Sequence, residues 1–379
     1  RPSMLKDITV KNYRLFKELK IDNFAKVNLI VGNNNSGKTS LLEAIYLLVN
    51  QGEVGSLAEI LNARGEKFDL IEENSLLGSE IDRTSTRYQI GHLFGHQNGG
   101  DTPIYLASQR EEFLSLQMQF RPLKEPEKNM QDLEPKQKSP NYLSLWGLDL
   151  SYSPGGNIWL PASKDGSIEA KEFFGARQRA DGADIFSTKS DRPSHFLTTK
   201  SFSYWPKLAK LWDTISLTAK EDKVVEALRL INPEIERIDF KSLLTSYGGI
   251  ILKIRGKNSP VPLAVMGEGM QRILSLAIAV LTAENGFLLV DEIDIGLYYM
   301  TQTDIWEFLL QIALDFNVQI FATTHSWDCI SAFQEALENL EDSTVGKVLR
   351  LQWRGEHFRT VDYTGKDLAI AIPHNIEAR

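Results

Sequence analysis

The sequence predicts an α/β fold with a mainly parallel central sheet, an antiparallel β lobe at the N-terminus and inserted α/β segments, and three features carry that prediction. Val27 to Val31 is a short apolar strand that runs into a loop of Gly, Asn and Ser and then into a helical pattern from Thr39 to Val49. From Tyr204 onward β and α segments alternate, the order that lays parallel strands side by side with crossover helices between them. Phe287 to Val290 is apolar throughout, as a strand covered on both faces must be, and it ends in Asp291 and Glu292.

Taken in chain order, Leu5 to Val10 and Leu19 to Phe24 alternate apolar with polar side chains and read as antiparallel neighbours joined by a turn at Asn12, Tyr13 and Arg14. Leu41, Leu42, Ile45, Leu48 and Val49 carry the helical spacing of the next element. Between Asn50 and Ser203 the pattern loosens into short strand-like pieces, Ile104 to Ala107, Phe113 to Phe120 and Leu143 to Tyr152. Pro122 to Pro140 and Asp181 to Ser194 are polar enough to be surface loops. Leu208, Leu211, Trp212 and Ile215 space a helix that starts near Tyr204, and Val224, Val225, Leu228 and Leu230 space a second, ended by Pro233. Strands Ile235 to Phe240 and Gly249 to Ile254 precede a helix, Met270 to Leu281, that is apolar on nearly every side and therefore buried. Helix Ile305 to Phe316, strand Val318 to Thr323, helix Trp327 to Leu337 and a strand pair within Val348 to Tyr363 complete the chain. The expectation is one domain over 1–379: N-terminal strands and phosphate loop in 1–50, an inserted irregular α/β region in 51–203, and the remaining motifs in 204–379.

The bulk composition narrows the class. A chain of 379 residues with 42% hydrophobic and 24% charged side chains can bury a large core, and no apolar run approaches the ~20 residues that cross a bilayer. A cytoplasmic protein away from membranes is expected, with Arg1 to Ser3 read as a cloning remnant ahead of Met4. The formal charge of −8 argues against a surface that wraps DNA non-specifically, although a local basic groove stays open. The single cysteine, Cys329, reads as a small buried residue of an amphipathic helix. His92 and His96 are four apart but flanked by Gly91 and Gly95, and with His195, His357 and His374 they make no metal-binding spacing.

Gly32, Asn33, Asn34, Asn35, Ser36, Gly37, Lys38 and Thr39 fit G-x-x-x-x-G-K-[ST] between a strand and a helix, the context that the motif requires. Glycines let the backbone curl so that successive N–H groups and the helix N-terminus face phosphates. Lys38 then places a charge at the β- and γ-phosphates, Thr39 offers its hydroxyl to Mg²⁺, and Ser40 reaches toward the α-phosphate. Asp291, at the tip of its buried strand, is expected to hold Mg²⁺ directly or through water, and Glu292 to polarise an attacking water as general base.

Met266, Gly267, Glu268, Gly269, Met270, Gln271 and Arg272, one helix before the Asp291 strand, resemble the divergent signature of ABC-type ATPases of RecF, SMC and OLD (overcoming lysogenization defect) type. In that family the signature of one subunit covers the γ-phosphate held by the other subunit's phosphate loop, which implies nucleotide contacts from Gly267, Glu268 and Gly269. Asp294, Ile295, Gly296 and Leu297 resemble the D-loop, which meets the dimer partner. Thr323, Thr324 and His325 resemble the segment ending in the switch histidine, whose neutral imidazole can donate to the γ-phosphate and accept from the water. Asn12 to Lys17 is similar to the family's N-Y/F-R-x-F segment, making Arg14 either a nucleotide contact or a simple turn charge. Gln97 and Gln109 are both candidates for the Q-loop glutamine, and Tyr298 stands where many relatives carry a histidine.

The resemblance implies an ABC-type ATPase with ATP and Mg²⁺ as ligands, Glu292, His325 and Lys38 as catalytic residues, and a homodimer or higher homo-oligomer closed head-to-tail around nucleotide. The segment after Trp327 is too short for a TOPRIM nuclease domain, so the expectation is the ATPase part alone, gating a separate effector chain, a nuclease among the candidates, in prokaryotic anti-phage defence. Two other readings stay open: a RecF-type repair ATPase acting on DNA, and a slow nucleotide-dependent scaffold.

Overall fold

A computed structural model describes residues 4–51, 53–72, 83–95, 102–110, 114–122, 146–153, 156–173, 192–200, 205–241, 249–354 and 357–371. The stretch expected as a surface loop after Pro122 lies outside these residues, as do Arg1 to Ser3, His96, Gln97, Asp181 to Asp191 and His374. The chain forms two compact units, one of Arg1–Lys6, Asn23–Leu42 and Arg192–Arg379, the other of Asp7–Asp22 and Glu43–Asp191. Among the described residues no helix is long and apolar enough to cross a membrane.

The first unit is built on a six-stranded sheet in the order Ser194–Leu197, Phe287–Val290, Gln319–Thr323, Val27–Val31, Gly346–Arg354, His357–Thr364. The first five strands run parallel and the last closes the edge antiparallel. Val27–Val31, Phe287–Val290 and Gln319–Thr323 are buried at every position, which is why they read as unbroken apolar runs rather than as alternations. The Glu268–Thr282 helix is buried from Ile273 to Leu281. Helices Trp205–Ile215 and Ala219–Arg229 pack upon it, so it has no solvent face to require polar residues. Each fully buried Leu or Ile of this core contributes ~1.5–3 kcal/mol relative to exposure. Helix Gln302–Asp315 packs against Trp327–Glu338, with the Trp306 and Phe333 rings edge to face at 4.7 Å. Cys329 is 1% exposed in this core, and burial pushes its thiol up to about 12. A three-stranded antiparallel sheet, Ile235–Lys241, Gly249–Ile254 and Val261–Pro262, leads into the Glu268 helix.

The second unit carries a six-stranded sheet, antiparallel at each pairing, in the order Phe16–Ile21, Ile8–Tyr13, Ile104–Ser108, Leu114–Pro122, Trp146–Ser153, Asn157–Ala162. A smaller sheet joins Ser167–Glu169, Arg83–Gln89 and Lys67–Glu72.

Three sequence expectations shift. The first hairpin pairs Ile8–Tyr13 with Phe16–Ile21, so its strands run past the expected turn, and Tyr13 pairs with Phe16 across Arg14 and Leu15. Burying Tyr13 and Phe16, 0% and 1% exposed, outweighs the turn preference of Asn12, which is held at φ 57° within the strand. The region expected to be irregular contains a helix, Val54–Ala63, and strands such as Arg83–Gln89, whose residues Thr84, Thr86 and Tyr88 favour β-structure without apolar alternation. Ser194, expected to end a surface loop, instead begins a strand that pairs with Phe287–Val290 at the sheet edge.

Candidate active site

The carboxyl ends of three neighbouring strands, Val27–Val31, Gln319–Thr323 and Phe287–Val290, carry the phosphate loop, His325 and the Asp291–Glu292 pair. Parallel strands that are adjacent in the sheet deliver their following loops to one edge, so residues separated by more than 250 positions meet there. Lys38 Nζ donates to the main-chain oxygens of Gly32 (2.8 Å) and Asn33 (3.0 Å) and lies 3.3 Å from His325 Nδ1. Thr39 Oγ1 donates to Asp291 Oδ2 at 2.9 Å. His325 Nε2 lies 4.0 Å from Glu292 Oε1.

The loop takes this shape because its residues permit it. Gly32 has φ 149°, and a Cβ there would sit 2.5 Å from the Leu351 main-chain oxygen. Gly37 and Asn35 take φ of 87° and 61°, values open to Gly and tolerated by Asn. Asn33, Asn34 and Asn35 are exposed, whereas Ser36, Lys38 and Ser40 are buried. The Ser36 hydroxyl has no hydrogen-bond partner among the described residues. Burial draws Lys38 down to about 8, against the opposing pull of Asp291 and Glu292.

Asp291 and Glu292 are anchored by a residue that in sequence is only the flank of a motif. Thr323 Oγ1 donates to Asp291 Oδ1 at 2.6 Å and accepts from the Glu292 N–H at 2.8 Å. Arg272, in sequence no more than the last position of the signature segment, is 2% exposed, and its Nη2 donates to the Glu292 main-chain oxygen at 2.5 Å. Burial lowers Arg272 to about 10, with Glu268, Asp294, Glu292 and Asp291 opposing. The sequence signal that points to Arg272 is a cation in a helix otherwise apolar on nearly every side.

Gly267, Glu268 and Gly269 open the Glu268–Thr282 helix, with Gly267 at φ 89°. They pack in the same chain against the loop after Glu292: a Cβ on Gly269 would lie 3.0 Å from the Gly296 oxygen, and one on Gly296 would lie 3.4 Å from the Glu268 carboxyl carbon. Asp294 of this loop accepts from Thr324 Oγ1 at 2.5 Å. Ile295, Tyr298, Tyr299 and Met300, next along the chain, are exposed apolar side chains, as is Val265.

Arg14 has other partners than the loop. In the second unit its Nε donates to Glu43 Oε2 at 2.6 Å and its terminal nitrogens donate to the two oxygens of Glu66 at 2.9 and 3.1 Å. Arg64 and the Tyr13 hydroxyl complete the cluster on Glu43. Burial works against the Arg14 charge, yet Tyr13, Glu66 and Glu43 together hold its affinity for the proton raised. Gln109 is exposed, with its N–H donating to Asp7. Among the described residues no group of three or more His, Cys, Asp or Glu side chains forms a metal-binding cluster.

A phosphate loop set beside a strand-tip Asp–Glu pair on a parallel sheet defines a P-loop ATPase. The family model described as AAA ATPase domain matches residues 4–143 and 188–330, and the chain belongs to that family. It is similar to an ATP/GTP phosphatase of Helicobacter pylori, 25% identical over 382 residues that cover 96% of this chain and 97% of that protein. It is also similar to the DNA replication and repair protein RecF of Bacillus cytotoxicus, 48% identical over 44 residues, 12% of each chain. Among solved structures, an Smc head bound to the C-terminal winged-helix domain of ScpA shares 13% identity at a TM-score of 0.49, covering 95% of this chain and 97% of that one. The chain is an ATPase.

Proposed function

We propose that two copies of this chain close head-to-tail around two ATP molecules, hydrolyse them, and use that closure to gate a partner. The observation that carries this reading is the convergence of Lys38, Thr39, Asp291, Glu292 and His325 at one sheet edge, with Thr39 hydrogen-bonded to Asp291, Lys38 3.3 Å from His325 and His325 4.0 Å from Glu292. Asn33 to Gly37, with Ser40, cradle the phosphates, and the buried Ser36 hydroxyl, without a hydrogen-bond partner among the described residues, suits a loop built to meet phosphate oxygens. Lys38 pairs with the β- and γ-phosphates. Thr39 and Asp291, hard oxygen donors 2.9 Å apart, are suited to hold Mg²⁺, which when bound neutralises phosphate charge. Glu292 takes a proton from the attacking water, and His325 orients that water and donates to the γ-phosphate. Gly267, Glu268, Gly269 and Asp294 serve the copy across the interface. The exposed Ile295, Tyr298, Tyr299, Met300 and Val265 beside them supply apolar area for such an interface.

The partner in this reading is an effector on a separate chain in anti-phage defence, in keeping with the OLD-type resemblance of the signature. The identity shared with RecF over 44 residues favours a second reading, in which the chain acts on DNA. ATP turnover with and without double-stranded DNA separates the two. Turnover indifferent to DNA supports gating of a protein, and stimulation that falls steeply with salt supports the DNA reading. Absence of turnover in both conditions would overturn the hydrolytic mechanism.

The lowered Lys38 gives a pH test. A bound triphosphate favours the ammonium form, so ATP binding takes up a proton wherever the free loop has lost one. ATP affinity is therefore expected to be flat below about pH 8 and to fall, by up to ~10-fold per pH unit, above it. Equilibrium titration with a fluorescent ATP analogue from neutral to alkaline pH checks this, and a flat profile throughout rejects it. In the nucleotide-free protein the unfolded chain binds more protons between about 8 and the ordinary 10.5, so this group makes stability rise with pH across that window.

A further inference from the structure

We infer that Thr323 and Arg272 form a clamp on the main chain of Glu292 and are positioning residues for hydrolysis. This rests on the reading of Glu292 as general base. Glu292 is a non-glycine residue at φ 52°, a conformation that side chains other than Gly, Asn and Asp rarely adopt and that persists only where surrounding contacts impose it. Both ends of the residue are held by side chains from different elements. Its N–H donates to Thr323 Oγ1 (2.8 Å) on the neighbouring strand, and its carbonyl oxygen accepts from Arg272 Nη2 (2.5 Å) on the helix that begins at Glu268. Thr323 is 0% exposed and Arg272 2% exposed, so water does not compete for these bonds.

The Thr323 hydroxyl has a single proton, and it goes to Asp291 Oδ1 at 2.6 Å. The same oxygen therefore fixes the Asp291 carboxylate and the Glu292 peptide at once. With the peptide held in the left-handed region, the Glu292 carboxylate faces His325 at 4.0 Å. Arg272 lies three residues beyond Gly269 on the same helix, so one guanidinium ties the Glu292 carbonyl to the helix that the Gly267–Gly269 turn opens.

The test compares Thr323→Val, which keeps the shape and deletes the hydroxyl, with Thr323→Ser, which restores it, alongside Arg272→Lys. Steady-state ATP turnover is read as kcat against KM, binding is read with a fluorescent ATP analogue, and thermal midpoints are recorded for each. Thr323→Val is expected to lower kcat on the order of 10- to 100-fold, the effect of a displaced catalytic group, with binding of the analogue within about 3-fold of wild type. Thr323→Ser is expected to recover most of that loss, and Arg272→Lys to lower kcat in the same pattern. Wild-type kcat in Thr323→Val, or a loss that Thr323→Ser shares in full, overturns the clamp. If Thr323→Val does not fold, Arg272→Lys decides, and if Arg272→Lys does not fold, Thr323→Val measured against Thr323→Ser decides: in the variant that folds, kcat and thermal midpoint falling together count against positioning, kcat falling with the midpoint unchanged supports it, and neither variant folding marks a structural role and overturns the clamp. Glu292→Gln run in parallel keeps the two ideas apart. Normal turnover in that variant removes the general-base reading itself, whereas lost turnover there with normal Thr323→Val removes only the clamp.

Discussion

Lys38→Ala is expected to remove measurable ATP binding while leaving the fold intact. The ammonium is the cation that the loop turns toward its own concavity, held by the Gly32 and Asn33 oxygens and beside His325. Deleting one partner of a buried, hydrogen-bonded charge pair costs about 2–5 kcal/mol, a loss on the order of 30- to 5000-fold in affinity. Burial already disfavours the charge, as the fall to about 8 records, so the alanine chain loses no charge pairing that folding depends on. Isothermal titration of ATP into wild type and variant, with thermal midpoints for both, decides the matter. Binding within about 3-fold of wild type would show that the phosphates lie elsewhere.

The second large effect falls on chemistry rather than binding. Glu292→Gln keeps the length of the side chain and the main-chain bonds to Thr323 and Arg272, but an amide cannot take the proton of the attacking water. Loss of a general base lowers turnover by about 10²- to 10⁴-fold. Because ATP still binds and no longer leaves by hydrolysis, the variant is expected to accumulate as an ATP-bound dimer. Size-exclusion chromatography with ATP and Mg²⁺ reads this directly: a dimer peak in the variant that wild type does not retain supports the mechanism. Identical profiles with undiminished turnover would sink it.

The phosphate loop is legible in the sequence because its requirements are local. Gly32 and Gly37 are demanded by backbone geometry at their own positions, and the strand before them and helix after them lie within a few residues. The same holds for Phe287–Val290, whose unbroken apolar run records burial on both faces. Val54–Ala63 and Arg83–Gln89 are hard to read because one is short and holds Gly55, and the other is a strand of Thr, Ser and Tyr without alternation. Arg14 is hard to read for a different reason. Its motif position leaves a nucleotide contact and a turn charge both open, while its partners Glu43 and Glu66 lie 29 and 52 residues away and carry no pattern that links them to it.

By itself the sequence determined the class of the chain, an ATPase with a G-x-x-x-x-G-K-T loop between strand and helix and a buried apolar strand that ends in Asp291 and Glu292, since each is written in contiguous residues with strict conformational needs. Only the tertiary structure decided how those pieces are aimed. The side-by-side placement of strands brings Thr323 onto Asp291 and Glu292 across 32 and 31 residues, Arg272 onto Glu292 across 20, and Ser194–Leu197 onto the sheet edge. Such pairings depend on which strand and helix lie next to which in the packed core, and no local pattern of residues encodes that adjacency.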